Sequence, residues 1–93
     1  MAIISGQKTV TAAGTAVQLA TSRQVASALM VKALNGNTGL VYVGQVSGDV
    51  SSANGVPLAA GESVVFSFVG NLAEVWVDSA VNAEGVAWLM LDI

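Results

Sequence analysis

The sequence contains no histidine and no cysteine, and its 93 residues include only three basic and six acidic side chains. Without imidazole or thiol groups, the chain lacks the common nucleophile–base pairs of enzymes and the usual ligands of transition metals. It also has no means of forming a disulfide framework. The cations Lys8, Arg23 and Lys32 are too few to neutralise a phosphate backbone. We therefore expect no enzymatic activity, no cofactor and no nucleic-acid partner.

The shortage of charge is pronounced because the chain is so apolar. Charged residues make up 10% of the sequence and hydrophobic residues 54%. About a quarter of the residues are charged in a typical soluble domain. A chain of this length, which fits a single domain over 1–93, also leaves a large share of its surface exposed as a monomer. The composition therefore favours a homo-oligomer or a larger assembly, in which copies and partners cover apolar surface.

Long apolar runs are also missing, although the mean hydropathy is +0.70. A membrane-spanning helix needs about 20 consecutive apolar residues, whereas Gly, Asn, Ser or Asp interrupts every apolar stretch here. The first six residues lack the basic region and the apolar region of a signal peptide. We therefore expect no membrane partner, and we expect synthesis in the cytoplasm.

Short runs of Val, Ile, Thr and aromatic residues, separated by Gly or Asn, predict an all-β fold. Segment 24–34 contains several helix-forming residues, but Asn35 and Gly36 before another apolar run favour a hairpin with 39–45. Segment 46–60 is the longest predicted loop. The sequence thus predicts a compact antiparallel β-sandwich or jelly-roll-like domain. Its predicted strands are 3–11, 15–20, 24–34, 39–45, 61–69, 73–78 and 84–91.

Alternation along the last two predicted strands suggests an interaction surface. Side chains alternate between faces along a strand, and carboxylates avoid a core unless they are paired. Trp76 shares its face with two acidic residues, and so does Trp88. If 73–78 and 84–91 form a hairpin, these faces merge into one apolar surface with an acidic rim, which is typical of an interface. The predicted interface residues are Trp76, Val86, Trp88 and Met90.

The opposite faces are then predicted to form the core, together with one face of 61–69. The predicted core residues are Val64, Phe66, Phe68, Val75, Val77, Ala87, Leu89 and Leu91. The alternative is that the face with the tryptophans is also core, because large aromatic side chains are usually buried within their own chain.

One turn carries several oxygen ligands. Asp78, Asn82 and Glu84 flank it and could bind Ca²⁺. Three ligands are few for such a site, and ordinary hydrogen bonds from these side chains to the backbone are the favoured interpretation. We therefore expect no metal site.

Four segments follow one another in a distinctive order: TVTAAGTAVQL (9–19), VKALNGNTGLVYVG (31–44), GVPLAAGES (55–63) and VWVDSAVNAEGV (75–86). In this order they resemble small virion structural proteins of tailed bacteriophages and prophages. The resemblance implies a β-sandwich or jelly roll that is often oligomeric and serves as a head decoration (cement) protein or small tail component, without catalytic residues. We therefore expect a homo-oligomer, with a trimer favoured, that binds the major capsid protein or another virion protein and resides in the virion. The alternative is a carbohydrate- or receptor-binding module of a tail or head fibre.

Overall fold

The computed structural model describes residues 2–20, 24–25, 28–44, 50–67 and 70–92. Strands dominate this part of the chain, and its one helical element is a single 3-10 turn at Leu72–Glu74. The all-β prediction is confirmed. In chain order the strands are β1 (Ala2–Val10), β2 (Val17–Gln18), β3 (Gln24–Val25), β4 (Ala28–Ala33), β5 (Val41–Gly44), β6 (Val56–Leu58), β7 (Ser63–Ser67), β8 (Gly70–Asn71), β9 (Trp76–Ser79) and β10 (Glu84–Asp92).

Eight strands form two antiparallel sheets of four. Sheet A has the order β1-β10-β4-β7, and sheet B has the order β2-β9-β5-β6. Strands β3 and β8 form a separate two-stranded ribbon. The pairing is nested: β1 pairs with β10, β2 with β9, β4 with β7, and β5 with β6. Such a chain is one long hairpin wrapped over itself into two sheets, which is the jelly-roll arrangement.

The core lies between the two sheets and is almost purely aliphatic. Alternate residues of β4 (Leu29, Val31 and Ala33) are fully buried, and so are alternate residues of the facing strands. The period of two follows from the strand geometry, which turns successive side chains to opposite faces. Residues of the core cluster are Val10, Leu19, Leu29, Val31, Ala33, Val41, Val43, Leu58, Leu72, Val75, Val77, Val86, Trp88 and Met90.

Two predicted hairpins are wrong. The described residues of segment 24–34 form β3 and β4, but β4 lies in sheet A whereas the next strand, β5, lies in sheet B. In the same way β9 lies in sheet B and β10 in sheet A. Each of these connections crosses from one sheet to the other instead of returning along its neighbour. The only neighbours in sequence that pair with each other among the strands of sheets A and B are β5 and β6.

The loop predicted over 46–60 contains a strand, β6. Pro57 lies in it opposite Tyr42. Because β6 is at the edge of sheet B, the missing N–H of proline costs no ladder hydrogen bond on the outward side. A proline therefore does not prevent a strand here.

The turns lie where Gly and Asn predicted them. Gly14 and Gly61 have positive φ angles of 88° and 82°, which glycine adopts without a steric penalty. The turn after β9 differs, because its left-handed residue is Ala83, with φ 64°, rather than the adjacent Asn82. The Ala83 N–H donates to the Val10 carbonyl at 2.9 Å, which ties this turn to the end of β1.

Candidate interaction surface

Three of the four predicted interface residues belong to the core. Val86 and Met90 are fully buried, and Trp88 is 8% exposed. The alternation along β10 was predicted correctly, but the assignment of faces was wrong. Since β10 lies in the sheet opposite β9, the face that carries Trp88 points at β9 across the sandwich. The alternative, that this face is core, is the one the structure supports.

The indole of Trp88 lies over Gly6, its partner on β1. A Cβ atom at Gly6 would lie 2.6 Å from Cζ2 of the ring, so only glycine leaves room for it. Trp88 Nε1 is buried and has no hydrogen-bond partner among the described residues. A buried unpaired donor costs about 1–3 kcal/mol, so the ring is held for its shape and apolar area.

Trp76 lies elsewhere, on the outer face of sheet B. Its partners in the ladder are Gln18 on β2 and Gly44 on β5, and its side chain is half-buried. The structure therefore does not bring the two tryptophans together. Val75 and Val77, the alternate residues around Trp76, are buried as predicted.

The other predicted core residues divide between the two faces. Val64 packs against the core, as expected. Leu89 is 39% exposed and Ala87 is half-buried, so that part of the prediction is wrong. Phe68 and the side chains of Phe66 and Leu91 lie outside what the structure describes.

Asp78 is almost completely buried, under the loop that joins β1 to β2. Its Oδ1 accepts hydrogen bonds from the Gly14 N–H at 3.0 Å and the Ser79 N–H at 2.8 Å. Asn82 Oδ1 accepts from the Ala13 N–H at 2.8 Å. Asp78 in β9 and Asn82 in the turn after it therefore hold the β1–β2 loop.

Glu84 holds a different loop, the one between β4 and β5. Its carboxylate accepts hydrogen bonds from the Thr38 N–H, the Thr38 hydroxyl and the Gly39 N–H, at 2.6, 2.9 and 3.0 Å. The backbone N–H groups of Thr38 and Gly39 lower the pKa of Glu84. The side chains of Asp78, Asn82 and Glu84 thus accept hydrogen bonds from the backbone N–H groups of two loops. No group of three acidic residues placed to hold a metal occurs in the described part of the chain.

The outer face of sheet B is covered by the chain itself. Val50, 2% exposed, lies outside the core cluster and packs on this face. A Cβ atom at Gly44 would lie 3.1 Å from a Val50 methyl carbon, and one at Gly55 would lie 2.7 Å from Cβ of Tyr42. The β5–β6 connection thus covers Gly44 and Tyr42, while the β1–β2 loop covers Asp78.

No loop in the described part of the chain covers the outer face of sheet A in this way. We call it the open face. It includes large apolar side chains that are well exposed: Ile3 at 68%, Val65 at 65% and Leu89 at 39%. Lys32 is its only charged residue among those whose side chains the structure describes. The alternation and register of the four strands define its residues: Ile3, Ser5, Gln7, Thr9, Ala28, Met30, Lys32, Ser63, Val65, Ser67, Ala87 and Leu89.

An apolar row crosses the middle of the open face. Leu89 on β10 lies between Ser5 on β1 and Met30 on β4, and Met30 lies opposite Val65 on β7. Beside this row is a shallow depression of about 300 Å³, lined by residues of β1, β4 and β10 including Ala87 and Leu89. A surface with little charge, exposed apolar side chains and a concave centre is typical of a protein–protein contact.

The open face is the surface that the sequence reasoning missed. The signal was present in β7, where Val65 alternates with partly buried Val64 and shares its face with Ser63 and Ser67. Because Ser63 and Ser67 are small and polar, the alternation in β7 predicted an outward-facing Val65 but did not identify it as part of an interface. Comparison with family models, with curated proteins and with solved structures finds no match to this chain. No helix in the described ranges is both long enough and apolar enough to cross a membrane.

Proposed function

We propose that this chain is a virion structural protein of a tailed bacteriophage, a capsid decoration protein that binds the major capsid lattice as a homo-oligomer, with a trimer favoured. The observation that carries the proposal is the open face: a four-stranded sheet surface with exposed Ile3, Val65 and Leu89 and a single described cation, Lys32. A protein that worked alone in water would normally cover such a surface with charge.

The proposed mechanism is mechanical. The open face buries apolar area against the capsid, and each copy thereby adds contacts across a junction between capsid subunits. Burial contributes about 25 cal/mol per Å² of apolar surface, before the cost of immobilising the partners. A repeated oligomer multiplies this contribution through its several copies.

Two further observations support the proposal. The order of four sequence segments resembles that of small virion proteins of tailed phages. The jelly roll is an architecture that capsid and lectin domains use, although a fold by itself does not specify a function. The fibre-module alternative needs exposed aromatic rings to stack on sugars. Burial of Trp88 removes one of its two tryptophans, which weighs against it.

The location in the particle can be tested with purified phage. Particles from an induced lysate of the source phage or prophage are separated into heads and tails, and each fraction is probed with antibody against this chain. We expect the chain on heads, in many copies. Its presence only on tails would contradict capsid decoration, and its absence from both fractions would contradict a virion role altogether.

The surface can be tested with two exposed valines. Val65→Lys places a charge on the open face, halfway along its edge strand β7, whereas Val56→Lys places the same charge on β6 of sheet B, where Val56 is 51% exposed. We expect Val65→Lys to lower co-sedimentation with undecorated heads at least tenfold, and Val56→Lys to lower it less than twofold. Equal binding by the two variants would contradict the assignment of the open face.

A further inference from the structure

The four sheet edges of this molecule are protected very unequally. In sheet B one edge strand, β2, has two residues, and the other, β6, has three residues with Pro57 at its centre. Short edge strands and proline are devices that prevent pairing with another chain. In sheet A the edges are β1, with nine residues, and β7, with five. Neither contains proline, and Lys8 is the only charged residue in the two strands.

We propose that β1 of one copy pairs with β7 of a neighbouring copy, and that this pairing closes the homo-oligomer into a ring of three. The inference rests on the oligomer in the proposed function and assigns the surface that holds the copies together. The existing strand directions make the pairing antiparallel. Since each strand of sheet A is antiparallel to the next, β1 and β7 run in opposite directions, and a neighbour's β7 beside β1 continues the pattern.

The charges are also complementary. In an antiparallel pair the start of the neighbour's β7 lies beside the end of β1, which places Glu62 near Lys8. Strand β7 contains no ionisable residue that could repel Lys8. A symmetric β1–β1 pair would instead leave both copies of β7 open. Pairing β1 with β7 satisfies both edges of every copy, and head-to-tail contacts of this kind form a ring when the rotation between copies returns to the first copy.

The pairing has a consequence for the open face. Strands in one sheet share their outer surface, so the open faces of neighbouring copies become continuous through Ser5 and Val65 of adjoining edges.

Engineered disulfides test the pairing directly, because the chain has no cysteine of its own. Ser5→Cys on β1 is combined in turn with Ser63→Cys, Val65→Cys and Ser67→Cys on β7, all of which are exposed. Within one chain these strands are separated by β10 and β4, about 14 Å in all. A disulfide needs Cα atoms within about 7 Å, so any bond formed must join two copies.

We expect at least one double variant to give bands of two and three chains on a non-reducing gel after mild oxidation, and Ser5→Cys alone to remain a single chain. Three results would overturn the inference: efficient dimers from Ser5→Cys alone, bands well beyond three chains, or no cross-link in any double variant. The mass of the unmodified protein by light scattering gives a second measurement, and a mass of one chain contradicts the ring.

Two charge variants distinguish a specific effect at the β1 edge from a general effect of added charge on solubility. Ser5→Lys combined with Gln7→Lys protects the β1 edge in the way that natural edges are protected, and Ser52→Lys combined with Ala53→Lys adds the same charge to an exposed loop. We expect loss of the trimer in the first protein and retention in the second. If the chain forms trimers but these are not found on phage heads, the proposed function is contradicted and the β1–β7 pairing is not. If the chain is found on heads but gives no β1–β7 cross-links, the pairing is contradicted and the proposed function is not.

Discussion

The outer faces of the two sheets differ in what the chain does with them. Sheet B is covered by its own loops, which bury Val50 and Asp78. Sheet A, which contains the two longest strands, is left uncovered and exposes Val65 and Leu89. Both faces contain apolar side chains, so composition alone does not distinguish them. The difference shows that a short chain can cover one sheet with its own loops while the outer side chains of the other stay exposed.

Specific acceptors hold two loops in place. The Asp78 carboxylate accepts from the Gly14 N–H and holds the β1–β2 loop over sheet B, while the Glu84 carboxylate accepts from the Thr38 N–H and holds the β4–β5 loop, which connects the two sheets. Each of these side chains lies next to the turn that joins β9 to β10. On the open face no described side chain makes an equivalent bond to a loop, so its strands remain the surface.

The largest effect is expected from Trp88, because its ring extends from the inner face of sheet A into the core, away from the open face. Trp88→Ala should lower the free energy of unfolding by about 3–5 kcal/mol, because it removes a core aromatic side chain and leaves a cavity beside Gly6. Urea denaturation at one fixed protein concentration measures the change.

Trp88→Phe is the matched control. It keeps most of the apolar area and removes the buried Nε1–H that has no partner among the described residues, so we expect a loss of only about 1 kcal/mol. If Trp88→Ala unfolded as readily as the parent but no longer assembled, the ring would lie on an interface and the core assignment would be wrong.

A pair of valines compares the two faces directly. Val50→Ala should destabilise the fold by about 2 kcal/mol, because Val50 is buried beneath the β5–β6 connection. Val65→Ala should change the free energy of unfolding of the isolated chain by less than about 0.5 kcal/mol, because its side chain is exposed.

Thermal melts at a concentration where the chains are dissociated give both values. Equal losses in Val50→Ala and Val65→Ala would mean that the open face is already covered, and would remove the difference between the sheets.

The smallest effect concerns pH and the loop held by Glu84. Its pKa is lowered in the folded chain, so its contribution to stability is present above the unfolded value of about 4.3 and is lost as the pH falls through the folded pKa. Glu84→Gln should therefore make the melting temperature fall less steeply below about pH 4.5 than in the parent.

Amide hydrogen exchange at Thr38 and Gly39 localises the effect, because these N–H groups donate to Glu84. Acid should increase their exchange in the parent before it affects amides in the middle of sheet A. An unchanged slope in Glu84→Gln would contradict the role of this carboxylate.

Local patterns predicted the elements well, and long-range pairing explains the errors. Apolar alternation placed Val75 and Val77 in the core, and Asn and Gly marked the turns. The same alternation along β10 was correct in period but not in direction, because period alone does not say which side of a strand faces the other sheet. Direction depends on whether β9 and β10 share a sheet, which is set by the distant partners of each strand.

The cover over sheet B was also beyond sequence reasoning. A carboxylate such as Asp78 was assigned to the surface because it carries charge, yet a loop brings backbone N–H groups to it and makes burial possible. Nothing in the local sequence of β9 records the position of a loop about 60 residues away. By contrast, once the sheet order is known, the sequence of β1 shows that this edge strand lacks proline and has a single charged residue, Lys8.

The nested pairing also determines when this protein becomes able to fold. The first strand pairs with the last along its whole length, from Ala2 opposite Asp92 to Val10 opposite Glu84. Such pairing between distant parts of a chain makes folding slow, on the order of milliseconds to seconds. During synthesis β1 must wait until the ribosome has produced its partner, with both of its edges unpaired. The yield of correctly folded protein therefore depends on how many unfinished chains meet one another, as well as on the stability of the finished chain.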